Sequence, residues 1–416
     1  MKKLLSLLII ISVATICKVS GASVSNKRIN FNDKPNIADT SNAQIPTIAI
    51  LAIPENLTNI SRYRQLRASG ITQSYYSFPN ANAVEAALNV AQKTGLKIFV
   101  ACPELKQDPE GTVKRFMNHP SLAGYFLADE PGSGAFSDLS SLVKRIQAID
   151  NKHLCYINLL PIYGLPNQMG ARNYQQYINR FLNEVPVPVI SFDNYPISGS
   201  TLKSIRPEWY KNLEIISAAS KRFNKPFWGF ALSVAQTPWP VPTLGALRLQ
   251  VYSNLAYGAQ GIEYFTYWTP SSNKFHTAMI GTDGRETEVY PRVQQLNKEI
   301  KDLSGVFLGA EVVSVTHTGD RIPMGTKPFQ TLPRPIILLK TDGRGAIISI
   351  LKNNGKTYLA IVNHDFTSDI SLTIKCLPGV NRVMKDGSSV SQNQATDIYK
   401  IEAGDIAIFS WPNSLN

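Results

Sequence analysis

From residue 46 onward the chain alternates between two kinds of segment. Short apolar runs at 48–53, 72–78, 97–102, 124–128, 154–160, 189–194, 227–234 and 262–268 read as strands. Between them lie longer amphipathic stretches, among them 81–93, 137–149, 174–184, 209–222 and 244–259, with a last one at 290–303. Their apolar positions recur at helical spacing. Strands that alternate with helices predict a parallel sheet. Eight such units within about 260 residues predict an α/β fold, a closed (β/α)8 TIM barrel. A doubly wound open sheet is the alternative, but it would carry a Gly-rich phosphate loop after an early strand, and no such loop is visible.

After about residue 309 the pattern changes. Alternating runs at 336–340, 346–351, 358–362, 370–374 and 406–411 are separated by Asn-Gly, Pro-Gly and Asp-Gly turns. These predict a small all-β sandwich of antiparallel strands. The domain expectation is therefore a barrel over 46–309 and a β-sandwich over 310–416.

The first 45 residues follow neither pattern. Lys2 and Lys3 precede the apolar run 4–16, and Ser20, Gly21 and Ala22 supply small residues at a cleavage site, which predicts a signal peptide over 1–22. The run is too short to span a bilayer. Lipoprotein anchoring at Cys17 ranks second to plain export, because Ile16 before it fits a lipobox poorly. Residues 23–45 are polar and read as a flexible lead-in.

Composition adds limits. Hydrophobic residues make up 44% of the chain and charged residues 17%, which is ordinary globular usage. Loss of Lys2, Lys3 and Lys18 with the leader lowers the net charge from +12 to +9. That balance suits an anionic surface, but neither a basic run nor an aromatic RNA-binding motif accompanies it, so no nucleic-acid partner is expected. Cys102, Cys155 and Cys376 lie in or beside apolar runs and read as buried thiols. His119, His153, His276, His317 and His364 lack metal-ligand spacing, and there is no nucleophile elbow, so neither a metal nor another cofactor is expected.

In a (β/α)8 barrel the chemistry sits at the carboxyl ends of the strands. The fourth run ends "GYFLADEPG", which puts Asp129 and Glu130 at the rim. Pro131 bars a helix from beginning at Glu130 and favours extended backbone there. Other strand ends carry "SFDNYP" with Asp193, Asn194 and Tyr195, "YINLLP" with Asn158, "QSYYSF" with Tyr75, and "YFTYW" with Tyr267 and Trp268; Trp239 follows the seventh run. Aromatic faces beside carboxylates and amides suit a sugar, whose C–H faces stack while its hydroxyls need paired donors and acceptors.

With these strand ends the chain resembles the clan of (β/α)8 retaining glycoside hydrolases, particularly the β-galactosidase-like barrels of glycoside hydrolase family 42 with an appended β-sandwich. The resemblance covers about residues 46–309. It implies an acid/base Glu after the fourth strand, which Glu130 matches, and a Trp at the end of the eighth that floors the catalytic subsite, which Trp268 matches. The residue before the acid/base is usually Asn, where this chain has Asp129. The nucleophile is a Glu at the end of the seventh strand, but "PFWGFALSVAQTPWP" contains no acid, and Ser233 stands there instead.

A second carboxyl group must therefore come from elsewhere if glycosides are cleaved. Asp193, two strands from Glu130 on the same rim, is the first choice. Glu263 lies near the start of the eighth run, which predicts a salt bridge at the barrel floor. Glu286 and Glu288 follow the eighth run and read as a solvated loop. The expectation is an exported glycoside hydrolase acting on an oligo- or polysaccharide, with Glu130 and Asp193 catalytic and Asp129, Asn158, Tyr195, Trp268, Tyr267, Trp239 and Tyr75 lining the sugar. The alternative is a non-catalytic carbohydrate-binding protein derived from such a barrel.

Overall fold

The structure is a computed structural model that describes residues 43–198, 204–237, 239–392 and 395–415. The leader 1–22 and most of the lead-in lie outside the described residues.

Eight parallel strands close the barrel: β1 (Thr47–Ile50), β2 (Gln73–Tyr75), β3 (Lys97–Val100), β4 (Leu122–Asp129), β5 (Leu154–Leu159), β6 (Ile190–Phe192), β7 (Phe227–Leu232) and β8 (Gly261–Phe265). Each pairs with the next in sequence, and β8 returns to β1. A helix follows every strand: α1 (Ile60–Ala68), α2 (Ala81–Gln92), α3 (Pro109–Phe116), α4 (Phe136–Gln147), α5 (Tyr174–Glu184), α6 (Trp209–Phe223), α7 (Leu244–Ala256) and α8 (Val289–Asp302). Several begin where the sequence supplies a cap. Asn59, Asn80, Asp108, Asn173 and Thr243 each accept a backbone N–H of the first turn.

Strand side chains alternate between two cores. Ile157, Leu159, Ile190, Phe192, Ile262 and Tyr264 face outward and pack under the helices. Tyr75, Phe99, Phe126, Tyr156, Trp228 and Phe230 fill the interior with aromatic rings. The same parity points Asn158, Ser191 and Glu263 inward. A bulge in β4 between Phe126 and Ala128 changes the phase of that strand. Phe126 pairs with Tyr156, but after the extra residue it is Asp129 that stands opposite Asn158. Regular alternation from Phe126 would have aimed Ala128 inward and turned Asp129 away.

Beyond α8 two antiparallel sheets face each other. One runs in the order β9 (Glu311–His317), β11 (Ala346–Asn353), β12 (Lys356–Asn363), β17 (Ile406–Pro412), β14 (Asn381–Val383), β15 (Ser389–Ser391); the other is β10 (Ile336–Thr341), β13 (Ile370–Cys376), β16 (Thr396–Ile401). Ile348, Leu359, Ile361, Leu372, Ile374, Phe409 and Trp411 fill the space between them. The neighbouring residues Ile347, Ala360, Val362 and Ile408 face the other way and join the core beneath the barrel helices. Strands β11 and β12 are thus buried on both faces. This covers α7, which is buried all round from Ala246 to Ala256, with Ser349 Oγ donating to Ala256 O at 2.7 Å. Among the described residues, no helix is long and apolar enough to cross a membrane.

Candidate active site

The bulge and the strand register put Asp129, Asn158 and Ser191 side by side on β4, β5 and β6. Asn158 is buried, and its Nδ2 donates to Asp129 Oδ1 at 3.0 Å and to Asp193 Oδ1 at 3.2 Å. Asp193 lies one residue beyond β6, with its side chain at interior parity like that of Ser191. Glu130 follows β4 directly, and its backbone N–H donates to Asn158 O at 2.8 Å. Its φ of 45° is left-handed rather than the extended geometry that Pro131 alone would favour. The bulge and the bond to Asn158 override the local preference. A non-glycine residue held there stores strain, a common mark of functional positions.

The Glu130 and Asp193 carboxyls lie close enough that each acts on the proton affinity of the other. Burial raises the proton affinity of Glu130, the charge of Asp129 raises it further, and the neighbouring Asp193 carboxyl works against both. Asp193 is pushed well above the ordinary carboxylate range, first by burial and then by the charges of Glu130 and Asp129. Two such carboxyls titrate as a pair and share a proton over part of the pH range.

The other expected sugar-lining residues divide. Tyr195 packs on Phe265 and Phe230, with ring centroids 5.8 and 6.3 Å away, and sits within the electrostatic reach of Asp193, Asp129 and Glu130. Tyr75 lies 4.1 Å from Phe126, bonds Ser77 through its hydroxyl, and feels Asp129. Trp239 carries the Arg206 guanidinium 5.6 Å from its ring, and Trp268 carries that of Arg62 at 5.3 Å. Tyr267 is fully buried in the core under the helices and keeps no surface toward a cleft.

Glu263 departs from the expected floor salt bridge. It is fully buried and, among the described residues, meets no cation; Tyr156 Oη donates to Oε1 at 2.5 Å, and Ser191 Oγ lies 2.9 Å from Oε2. Burial raises its pKa to about 8. Glu286 accepts from Gln65 on α1, and Glu288 pairs with Arg292 on α8, so both are engaged away from the carboxyl pair. The end of the seventh strand is closed: Ser233 is fully buried, and its hydroxyl donates to Thr266 O at 3.0 Å.

Sequence reasoning missed Tyr156, Ser191, Tyr163 and Arg206. The first two were within reach, since they share parity with Asn158 and Asp193. Tyr163 and Arg206 come together only in the fold. The Arg206 guanidinium lies 4.6 Å from the Tyr163 ring, its Nε donates to Tyr195 O, and Tyr163 feels Asp193 and Glu130. Among the described residues no group of three or more His, Cys, Asp or Glu side chains is placed to hold a metal ion.

Residues 164–303 match the family model described as beta-galactosidase of glycoside hydrolase family 42. Among solved structures, the chain is similar to a β-galactosidase from Bacillus circulans sp. alkalophilus, with a TM-score of 0.60, 11% identity and coverage of 88% of this chain and 99% of that one. A γ-CGTase from alkalophilic Bacillus clarkii matches with a TM-score of 0.52 and 10% identity over 90% of this chain and 72% of that one. The chain spans 60% of the β-galactosidase from the psychrophilic Marinomonas ef1, at 12% identity, a TM-score of 0.47 and 62% of its own length. No curated protein matches the chain. The chain is a (β/α)8 barrel followed by a β-sandwich, with a glycoside-hydrolase-like fold that over residues 164–303 is similar to family 42.

Proposed function

We propose that this chain is an exported glycoside hydrolase acting on an oligo- or polysaccharide, with its catalytic barrel over 46–309 and its sandwich over 310–416. The observation that carries the reading is the electrostatically coupled pair of Glu130 and Asp193 at the carboxyl ends of β4 and β6, with Asn158 bonded to Asp193 beside it. Retaining hydrolysis uses carboxyls about 5 to 5.5 Å apart, whereas inverting hydrolysis leaves roughly 6.5 to 9.5 Å for a water between them. Carboxyls close enough to couple favour the retaining arrangement. In the reactive form the proton shared by the pair sits on Glu130, which gives it to the leaving oxygen, while Asp193 is the ionised partner and attacks the anomeric carbon. Asn158 keeps the Asp193 oxygen oriented, while Asp129 opposes ionisation of Glu130. Tyr195, Tyr75, Trp239 and Trp268 supply aromatic surface around the sugar, and Arg206 with Tyr163 borders it.

A second reading, a carbohydrate-binding protein without turnover, is favoured by the acid-free, closed end of β7. A panel of glycosides, opening with β-galactosides because of the family match, separates the two. Wild type cleaves at least one and Glu130→Gln loses turnover by on the order of 10²- to 10⁴-fold while still binding it. Binding without cleavage by wild type selects the second reading, and full activity in Glu130→Gln removes Glu130 from the chemistry.

A further inference from the structure

The buried end of the Asp129–Asn158–Ser191 row is decided by counting protons. Asn158 Nδ2 has two, and both have carboxylate acceptors. Its Oδ1 therefore faces Ser191 and can only accept. Ser191 has one hydroxyl proton and two contacts, Asn158 Oδ1 at 3.0 Å and Glu263 Oε2 at 2.9 Å. The amide oxygen has no proton to give, so the serine proton goes to Asn158 and the proton in the other contact comes from Glu263 Oε2. Tyr156 donates to Oε1, which leaves Oε2 as the protonated oxygen.

We propose that Glu263 is a neutral carboxylic acid whose proton sets the donor direction of this row, which makes it a positioning residue for the Glu130–Asp193 pair. The assignment rests on the hydrolase reading of that pair. Every link then runs toward the mouth: Glu263 to Ser191, Ser191 to Asn158, Asn158 to Asp129 and Asp193. The surroundings agree. Glu263 is fully buried, Phe230 on β7 and Ile48 on β1 stand beside it in register, and no cation among the described residues approaches it. The titratable groups acting on it are Tyr156 and Asp129. Tyr156 is itself held protonated by burial and by Glu263, and the charge of Asp129 favours the neutral acid.

Ionisation of Glu263 draws the serine proton back to its own oxygen. Asn158 Oδ1 then loses its donor, and an amide that flips to recover one turns its oxygen on two carboxylates. Alkaline pH thus disturbs the pair from beneath.

Glu263→Gln tests this, because glutamine accepts from Tyr156 through Oε1 and donates to Ser191 through Nε2 at every pH. At pH 6 its kcat stays within about threefold of wild type, and it falls less than wild type as pH passes about 8. Glu263→Leu lowers kcat on the order of 10- to 100-fold at both pH values, with a smaller change in KM. Independently of turnover, the infrared difference between wild type and Glu263→Gln contains a carboxylic-acid carbonyl band at pH 6 that is lost as pH rises through about 8. Absence of that band at pH 6 overturns the proposal, as does a Glu263→Gln enzyme as impaired at pH 6 as Glu263→Leu. A wild type that shows the band but cleaves no glycoside sinks the hydrolase reading and leaves the proton assignment supported.

Discussion

A carboxyl group serves as an acid near neutral pH only when its surroundings oppose ionisation. Glu130 meets that condition through burial and the charge of Asp129, and because Asp193 is raised as well, the two hold one proton as a pair, with ionised Asp193 as the form that can attack carbon. On the proposed hydrolase reading, which of the two attacks carbon is read from the product of an added nucleophile. Asp193→Ala supplied with azide yields a glycosyl azide of anomeric configuration opposite to the substrate, whereas Glu130→Ala yields one of the same configuration. The reverse assignment of products exchanges the two roles. The presence of acids at these strand ends was legible in the sequence, because carboxylates break otherwise apolar runs. The left-handed backbone of Glu130 was not: Pro131 argues for extended geometry, and only the bond to Asn158 O, a residue 28 positions away, explains the outcome. Glu263 was visible but misplaced, since a charge in an apolar strand suggests a cation partner, and here a proton does that work.

At the scale of elements, the eight strands and their helices were legible because two periodicities alternate without interruption. Strand lengths were less so; β2 and β6 hold three residues each, since the barrel ladder ends before the apolar run does. The bulge in β4 leaves no mark in the sequence, yet it aims Asp129. Its strand also has a tight margin elsewhere. A Cβ on Gly124 would lie 2.3 Å from the carbonyl oxygen of Leu154 on β5. Gly124→Ala therefore forces β4 and β5 apart, costing about 1 to 3 kcal/mol in urea unfolding and lowering kcat through the Asp129–Asn158 register. Unchanged stability and turnover would show that the ladder absorbs the shift. In the sandwich, "AIISIL" and "TYLAIV" depart from strict alternation, and the reason is burial on both faces.

At the scale of the whole molecule, barrel and sandwich meet through polar groups as well as apolar ones. Arg248 of α7 bonds Glu299 of α8 at 2.6 Å and Glu402 of the sandwich at 2.8 Å. His317 of β9 lies between Tyr257 and His364, at 2.8 and 2.9 Å. Burial holds His317 at about 2 and His364 at about 4, so the folded protein refuses protons that the unfolded chain binds below the ordinary value of 6.5. Their contribution is complete above about 6.5 and is lost as pH falls toward 4. The urea midpoint of wild type accordingly drops between pH 7 and 4.5, and that of His317→Gln drops less; equal slopes would place the acid sensitivity elsewhere. Two-sided burial of β11 and β12 has a wider meaning. A barrel cut free at residue 309 would bare the flank of α7, and a sandwich moved to another host would carry a greasy reverse side. Neither half is a portable cassette, so recombination that shuffles modules between proteins has to move the two as one.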